Sequence, residues 1–263
     1  MKKTTSAPLL LSTGLASLLT FSQVADATEL KIIASGALRG AMASLQPAYE
    51  KASGNTLSIS WGPSMGGSPE SIPQRIKQKE PMDLAVMAEE TLELLAPSGA
   101  FDMATRREIA HSRIGAGVPH GKPKPDISTV AALKSALLNA DKIAYSQGAS
   151  GVFIRTELFK QLGISEQVKG KTVEVEGKEL VGTALARGEA DIGMQQVSEL
   201  KVTPGVDYLG PLPDEVQKVS RFCAAVAEQT PNSKPAKEFI AFLNSDEARE
   251  LLVKSGLEPA KSH

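Results

Sequence analysis

The chain has 263 residues, of which 41% are hydrophobic and 22% charged, and its formal net charge is −1 at pH 7. This near-neutral balance argues against a nucleic-acid-binding surface, and the length suffices for one large or two small domains. A single cysteine, Cys223, excludes an internal disulfide, so the fold must depend on its hydrophobic core. Cys223 lies in an apolar run that predicts a buried strand, where we expect it to act as a small core residue.

The first 27 residues are typical of a secretory signal peptide. Two lysines near the start precede a short apolar run over 8–19, and Ala25-Asp26-Ala27 has the small-residue pattern of a cleavage site. We therefore expect cleavage between Ala27 and Thr28 and export of the mature chain to the periplasm. A retained membrane anchor is the alternative, but the apolar run is short for a bilayer span.

Beyond this segment, short apolar strands alternate with amphipathic helices. In the first part of the chain, the pattern predicts strands over 30–34, 56–61 and 83–88, each followed by a helix, over 40–53, 69–78 and 89–95. Farther along, it predicts strands over 111–118, 142–145, 191–195 and 221–228 and an extended segment over 208–213. The helices predicted there lie over 129–139, 152–162 and 178–186, and a last helical segment over 235–255 is broken near 244–245. The first six elements predict a parallel sheet covered by helices.

The second half repeats the theme of the first, because a strand, a Ser/Gly loop and a helix follow one another again from residue 142. Two such halves joined by two crossings predict a two-lobed α/β fold, with two mixed sheets, helices on both faces and a hinged cleft between the lobes. We expect lobe 1 to comprise residues 28–113 and 224–263, and lobe 2 to comprise residues 114–223.

The turn after the first strand is the clearest candidate for a binding site. It reads Ser35-Gly36, and the helix that follows carries Arg39 in its first turn. Free N–H groups at a helix N-terminus favour an anion, and open α/β sheets bind ligands at the carboxyl ends of their strands. Arg39 can hold a carboxylate through two hydrogen bonds. The structural alternatives are a helix cap for the serine and a surface ion pair for the arginine.

Five motifs, in this order, resemble those of the type II periplasmic solute-binding proteins, and within them the molybdate-binding-protein-like group. They are Ile33-Ala-Ser-Gly-Ala37, Gly62-Pro-Ser-Met-Gly-Gly67, Pro81-Met-Asp-Leu-Ala85, Gly188-Glu-Ala-Asp-Ile-Gly193 and Phe239-Ile-Ala-Phe-Leu-Asn-Ser-Asp-Glu-Ala248. The resemblance covers nearly the whole mature chain. It implies the type II periplasmic-binding-protein fold and an anionic ligand held between the lobes.

The resemblance also implies which residues hold the ligand: a serine in each of the first two loops and backbone amides of the second lobe. The family's tyrosine after the Gly-Glu-Ala-Asp-Ile-Gly strand is absent, since this chain has Met194-Gln195-Gln196 there. An arginine and two glutamines suit a ligand with several carboxylates better than a tetrahedral metal oxyanion. The predicted substrate-binding residues are Ser35, Gly36, Arg39, Ser64, Met65, Gly66, Ala149, Ser150, Gly151, Gln195 and Gln196.

One enzyme branch is similar to this group: the periplasmic aconitate isomerases, which interconvert cis- and trans-aconitate. Membership of that branch would imply an allylic proton shift, which needs clamped carboxylates, a stabilised dienolate charge and one group that moves a proton. The alternative is an ABC-transporter solute-binding protein that passes a small anion, either a polycarboxylate or a molybdate-type oxyanion, to a membrane permease.

The sequence does not identify the group that moves the proton. Glu70, Tyr145 and Glu199 are all within conceivable reach, and none is preferred. No metal-ligand cluster, nucleophile elbow or phosphate loop is present in the sequence, so we expect no metal and no cofactor. The expected partner is a small anion, with a polycarboxylate favoured, and the expected oligomeric state is a monomer.

Overall fold

The computed structural model of the protein describes Met1 and residues 27–261, so the body of the predicted signal peptide lies outside the described residues. The strands in this part of the chain are β1 (Glu29–Ser35), β2 (Thr56–Gly62), β3 (Leu84–Ala88), β4 (Phe101–Pro119), β5 (Ile143–Ser146), β6 (Thr172–Val175), β7 (Ile192–Gln196), β8 (Val206–Pro211), β9 (Val219–Ala227) and β10 (Glu258–Pro259).

The helices are α1 (Arg39–Ser53), α2 (Ile72–Lys77), α3 (Glu89–Leu95), α4 (Val130–Asn139), α5 (Ala149–Phe153), α6 (Phe159–Gln161), α7 (Ser165–Val168), α8 (Val181–Ala186), α9 (Val197–Lys201), α10 (Ser233–Leu243) and α11 (Asp246–Lys254). A π-helical turn, Ile154–Leu158, joins α5 to α6, and short 3-10 turns lie at Gly36–Leu38, Ala96–Ser98 and Asp214–Val216.

The strands form two mixed sheets that share one strand. In the first sheet the order is β2-β1-β3-β9-β4, with β10 beside β4. In the second sheet the order is β6-β5-β7-β4, with β8 on the other side of β4. Three strands of each sheet are parallel, and the strands that connect the two sheets run antiparallel to them. The predicted α/β architecture with two mixed sheets is therefore confirmed.

The shared strand β4 passes from one sheet to the other without a break. It pairs with β9 as far as Arg113, and from Ile114 onward it pairs with β7 and β8. The sequence predicts only its second part, from residue 111. The charged run Arg106-Arg107-Glu108 and two register shifts against β9 obscure the apolar alternation of the first part. The exact division into two lobes remains a prediction.

Helix α1 shows why the local sequence folds as it does. Ala41, Met42, Leu45 and Tyr49 recur at helical spacing and are buried against the first sheet. Gly54 ends the helix with φ 75°, a left-handed conformation that glycine adopts without strain. Burial of this apolar face, together with faces of α10 and α11, supplies the core on that side of the sheet.

A second large core covers the second sheet, and it includes Ile114, Leu133, Leu158 and Met194, all fully buried. Each sheet therefore has a hydrophobic core of its own. Across the residues that the structure describes, none of the helices combines the length and apolar composition that a membrane span requires.

Candidate active site in the cleft between the sheets

A cleft of about 470 Å³ lies where the carboxyl ends of β1, β2, β5 and β7 come together. Beside it, the strand order reverses in both sheets, as β2-β1-β3 in the first and β6-β5-β7 in the second. Such reversals are where open α/β sheets bind ligands.

Three serines of the cleft wall have their hydroxyl oxygens oriented by the backbone. Ser35 accepts a hydrogen bond from the Ala37 N–H at 3.4 Å, and Ser64 accepts one from the Ala88 N–H at 3.0 Å. Ser146 accepts one from Gly148 at 3.3 Å. Because the oxygen of each hydroxyl is engaged as an acceptor, its proton remains available to an acceptor in the cleft. The three serines thus present donors suited to an anion.

Arg39 supplies positive charge to the same wall. Its guanidinium carbon lies 5.4 Å from the centroid of the Trp61 ring, which covers one face of the group. The Arg39 Nε is buried and has no hydrogen-bond partner among the described residues. An unpaired buried donor is costly, and a bound carboxylate would satisfy it.

Gln196 has the complementary feature, an unpartnered acceptor. Its Nε2 donates to the Ser220 hydroxyl at 2.9 Å, whereas its Oε1 is buried without a partner in the described part of the chain. The neighbouring Gln195 uses its Oε1 to accept from the Val181 N–H at 2.8 Å, and so fixes the start of α8. The two glutamines therefore differ in role, and Gln196 has the free polar atom.

Glu199 extends from α9 into the floor of the cleft. A Cβ at Gly36 would stand 2.7 Å from the Glu199 Oε1, so the carboxylate lies directly against the first loop because residue 36 has no side chain. Burial raises the pKa of the Glu199 carboxyl to about 7, with the Arg39 charge and polar contacts to Gln196 and Gln195 acting in the opposite direction. A carboxyl with this pKa exchanges a proton readily near neutral pH.

Contacts across the cleft connect the two sheets directly. The Glu70 Oε2, in the loop after β2, accepts from the Lys178 N–H at 3.0 Å, and the Lys178 Nζ lies 3.7 Å from Glu70 Oε1. The Ser198 hydroxyl also donates to the Ala37 carbonyl at 2.7 Å. Polar contacts at two places therefore join the two halves.

Most of the predicted site residues line this cleft. Those in the wall are Ser35, Gly36, Arg39, Ser64, Ala149, Ser150, Gln195 and Gln196. Met65, Gly66 and Gly151 lie outside it. Gly66 faces the Gln147 carbonyl across the mouth, and Gly151 packs against Ser146, where a Cβ would stand 1.5 Å from the carbonyl oxygen. Contact of the ligand with the predicted residues remains a prediction.

The sequence prediction omitted Ser146, Lys178 and Glu179 from the wall. The sequence does contain a signal for Ser146, because this serine opens the Ser/Gly loop of the second half as Ser35 does in the first. Of the three candidates for moving the proton, Glu199 lines the cleft, whereas Tyr145 is buried in the core of the second sheet beside Phe159.

No group of three His, Cys, Asp or Glu side chains among the described residues is arranged to hold a metal ion. The charged groups that line the cleft are Arg39, Lys178, Glu179 and Glu199. The arrangement is thus suited to an organic anion, which two cations and several hydroxyl donors could hold.

A family model described as bacterial extracellular solute-binding protein matches residues 30–258. The chain belongs to this family. As a member, it is an exported, periplasmic protein, and the resemblance to the molybdate-binding-protein-like group is confirmed.

Two relatives of known name align along most of the chain. An aconitate isomerase from Pseudomonas sp. is 38% identical over 232 residues, 88% of this chain and 88% of that protein. The molybdate-binding protein of Escherichia coli (strain K12) is 21% identical over 238 residues, 89% of this chain and 90% of that protein. The identity to the isomerase is substantially higher over a segment of nearly the same length.

Among solved structures, the periplasmic molybdate-binding protein of Azotobacter vinelandii superimposes with a TM-score of 0.73 and 18% identity, covering 89% of this chain and 100% of that one. This likeness confirms the predicted type II periplasmic-binding-protein fold.

Proposed function

We propose that the chain is an aconitate isomerase that interconverts cis- and trans-aconitate by moving a proton between two allylic carbons. The observation that carries the proposal is the 38% identity, over 88% of both chains, to the enzyme of that name from Pseudomonas sp.. The absence of the family's tyrosine, replaced here by Gln195-Gln196, and the presence of Arg39 support it, because both depart from a tetrahedral-oxyanion site.

The cleft has the parts that this reaction needs. Arg39 and Lys178 provide two positive charges for a substrate with three carboxylates. The hydroxyls of Ser35, Ser64 and Ser146 provide neutral donors at fixed positions. Removal of a proton from the substrate methylene places negative charge on a dienolate, and preorganised donors of this kind stabilise such charge. Binding and charge stabilisation are therefore assigned to the same wall.

The finer features belong to the same proposal. The ligand is a polycarboxylate, the predicted substrate-binding residues contact it, and the chain acts as a monomer without a cofactor. The mature protein begins at Thr28 after removal of the signal peptide.

The test is to incubate mature protein with cis-aconitate in buffered D₂O and to follow the mixture by proton NMR. Growth of trans-aconitate above a control without protein supports the isomerase, and deuterium at the shifted carbon reports the path of the proton. Absence of conversion, with heat stabilisation by cis-aconitate or molybdate, would contradict the isomerase and favour the solute-binding alternative. If there is neither conversion nor binding, aconitate is not the ligand.

A further inference from the structure

Glu199 differs from the other carboxylates at the cleft in having no cationic partner. Glu179 pairs with Arg187, and Glu70 lies 3.7 Å from the Lys178 ammonium. No salt bridge to Glu199 is formed by any residue in the described part of the chain, and the residue is 8% exposed and lines the cleft. Polar contacts to Gln195 and Gln196 and the Arg39 charge offset the burial of this carboxyl only in part, since its pKa remains raised. The ionised form is therefore costly for the fold, which favours a functional role for Glu199.

The position of Glu199 is held by residues that themselves belong to the site. Its Oε1 lies where a side chain at Gly36 would be, and its surroundings include the Gln195 side chain and the Gln196 backbone. The carboxyl therefore lies in the wall of the cleft, beside the Ser35 loop and the end of β7.

We propose that the Glu199 carboxylate is the group that removes and returns the proton during isomerisation, an assignment that rests on the function proposed above. The carboxylate oxygen takes a proton from the substrate methylene, the C–H electron pair becomes part of a dienolate, and the former double bond shifts by one carbon. The protonated Glu199 then donates its proton to the other terminal carbon, which restores the carboxylate. Atoms and charge balance without a co-reactant.

The environment of Glu199 suits both halves of this transfer. A group that both accepts and donates a proton works best when its pKa is near the operating pH. Burial raises the pKa of the Glu199 carboxyl to about 7. Arg39 from α1 is the charged group that acts on the Glu199 carboxyl. Lys178 and Glu179, from the segment before α8, line the same cleft, and the groups at the end of β7 are neutral amides. Bound substrate adds negative charge, which Arg39 and Lys178 offset.

The deciding experiment compares wild type with Glu199→Gln, which keeps the shape and removes the titrating group. We expect kcat for cis-aconitate to fall by about 10²–10⁴-fold, methylene deuterium exchange to be lost, and the Kd for cis-aconitate from calorimetry to change by less than about fivefold. In wild type, kcat/KM should rise with pH through about 7. Glu166→Gln, which removes an exposed carboxylate on α7 outside the cleft wall, is the matched control, with kcat expected within about threefold of wild type.

The outcomes separate the two proposals. An inactive wild type contradicts the isomerase itself. An active wild type with an equally active Glu199→Gln overturns only the assignment of Glu199, and so does a variant that loses binding together with turnover. If Glu199→Gln does not fold, Glu199→Asp replaces it: a kcat at least tenfold lower with unchanged Kd supports the assignment, and a wild-type kcat overturns it.

Discussion

The Arg39 guanidinium combines two features that rarely serve structure alone. Trp61 covers one face of the group, and its buried Nε lacks a partner in the described part of the chain. Stacking on the ring limits the rotamers of the long side chain, so less entropy is lost when a ligand binds. The fixed planar donor edge is therefore what we expect to select a carboxylate.

Replacement of Arg39 should accordingly weaken polycarboxylate binding. We expect Arg39→Ala to cost about 2 kcal/mol or more in the binding of cis-aconitate, roughly a thirtyfold rise in Kd by calorimetry. The Kd of Arg39→Lys should lie between those of wild type and Arg39→Ala, because lysine keeps the positive charge but lacks the planar pair of donors of a guanidinium. Arg155→Ala, which removes an exposed arginine of the second half, serves as the control for net charge. An unchanged Kd in Arg39→Ala, or a strongly weakened one in Arg155→Ala, would contradict this role.

The raised pKa of Glu199 also predicts how stability depends on pH. Its folded pKa of about 7 lies above the ordinary value of 4.5, so the folded protein holds this proton more tightly than the unfolded chain. The resulting stabilisation is complete below about pH 4.5 and is lost as pH rises to about 7. Urea unfolding of wild type and Glu199→Gln should show the difference in unfolding free energy shifting by about 3 kcal/mol across this window, in favour of the variant at high pH.

Exposed carboxylates provide the comparison for that measurement. Glu166 lies at the surface on α7, and Glu166→Gln should change the free energy of unfolding by less than about 0.5 kcal/mol. A difference between wild type and Glu199→Gln that does not change between pH 4.5 and 7 would contradict the raised pKa of Glu199.

Among the secondary-structure elements, the sequence predicts best those bounds that depend on neighbouring residues, such as helix caps. Helix α3 has the predicted bounds, and the break near residue 244 is confirmed, because Ser245 caps α11 by accepting from the Ala248 N–H at 3.2 Å. The prediction of a helix over 69–78 is too long. Ser71 is extended, with φ −66° and ψ 144°, and its N–H donates to Ser68, so α2 begins only at Ile72.

What the sequence could not predict depends on contacts between distant segments. Among the described residues, β6 is an edge strand that pairs with β5 alone, and its sequence, Thr-Val-Glu-Val, lacks the buried apolar run that marks β5. The buried state of Glu199 follows from Gly36, 163 positions away in the chain on the other sheet, and from the packing of the two halves. Local periodicity carries no information about such a pairing.

The junction between β5 and α5 depends on the lack of a side chain at Gly151. A Cβ there would stand 1.5 Å from the Ser146 carbonyl oxygen, which belongs to the backbone and cannot rotate away. We expect Gly151→Ala to lower the free energy of unfolding by about 3 kcal/mol, the upper end for overpacking, as measured by urea denaturation. Gly170→Ala has open space around it and should change stability by less than about 0.5 kcal/mol. Equal urea midpoints for the two variants would contradict this reading of the junction.

For the whole molecule, the contact between Glu70 and Lys178 joins the two halves beside the cleft. Since both side chains are partly exposed, the contact contributes modestly. We expect Glu70→Ala to raise the Kd for cis-aconitate about two- to fivefold while the melting temperature of the ligand-free protein changes little. Glu70→Gln retains an oxygen that can accept from the Lys178 N–H, so its Kd should lie between those of wild type and Glu70→Ala. Identical affinities for all three proteins would show that this contact plays no part in holding the ligand.

Strands β4 and β9 pair with strands that lie far away in the chain, and this pairing constrains the order in which the molecule can fold. Apart from β4, the second sheet is built from strands that follow one another between Ile143 and Pro211. In the first sheet, β9 lies between β3 and β4, so this sheet is complete only after β9 has joined it. Shorter loops close at a smaller entropic cost. In a chain emerging N-terminus first, β1 can pair with β2 and β3, but the other edge of β3 stays open and prone to aggregation until β9 arrives from the C-terminal part of the chain.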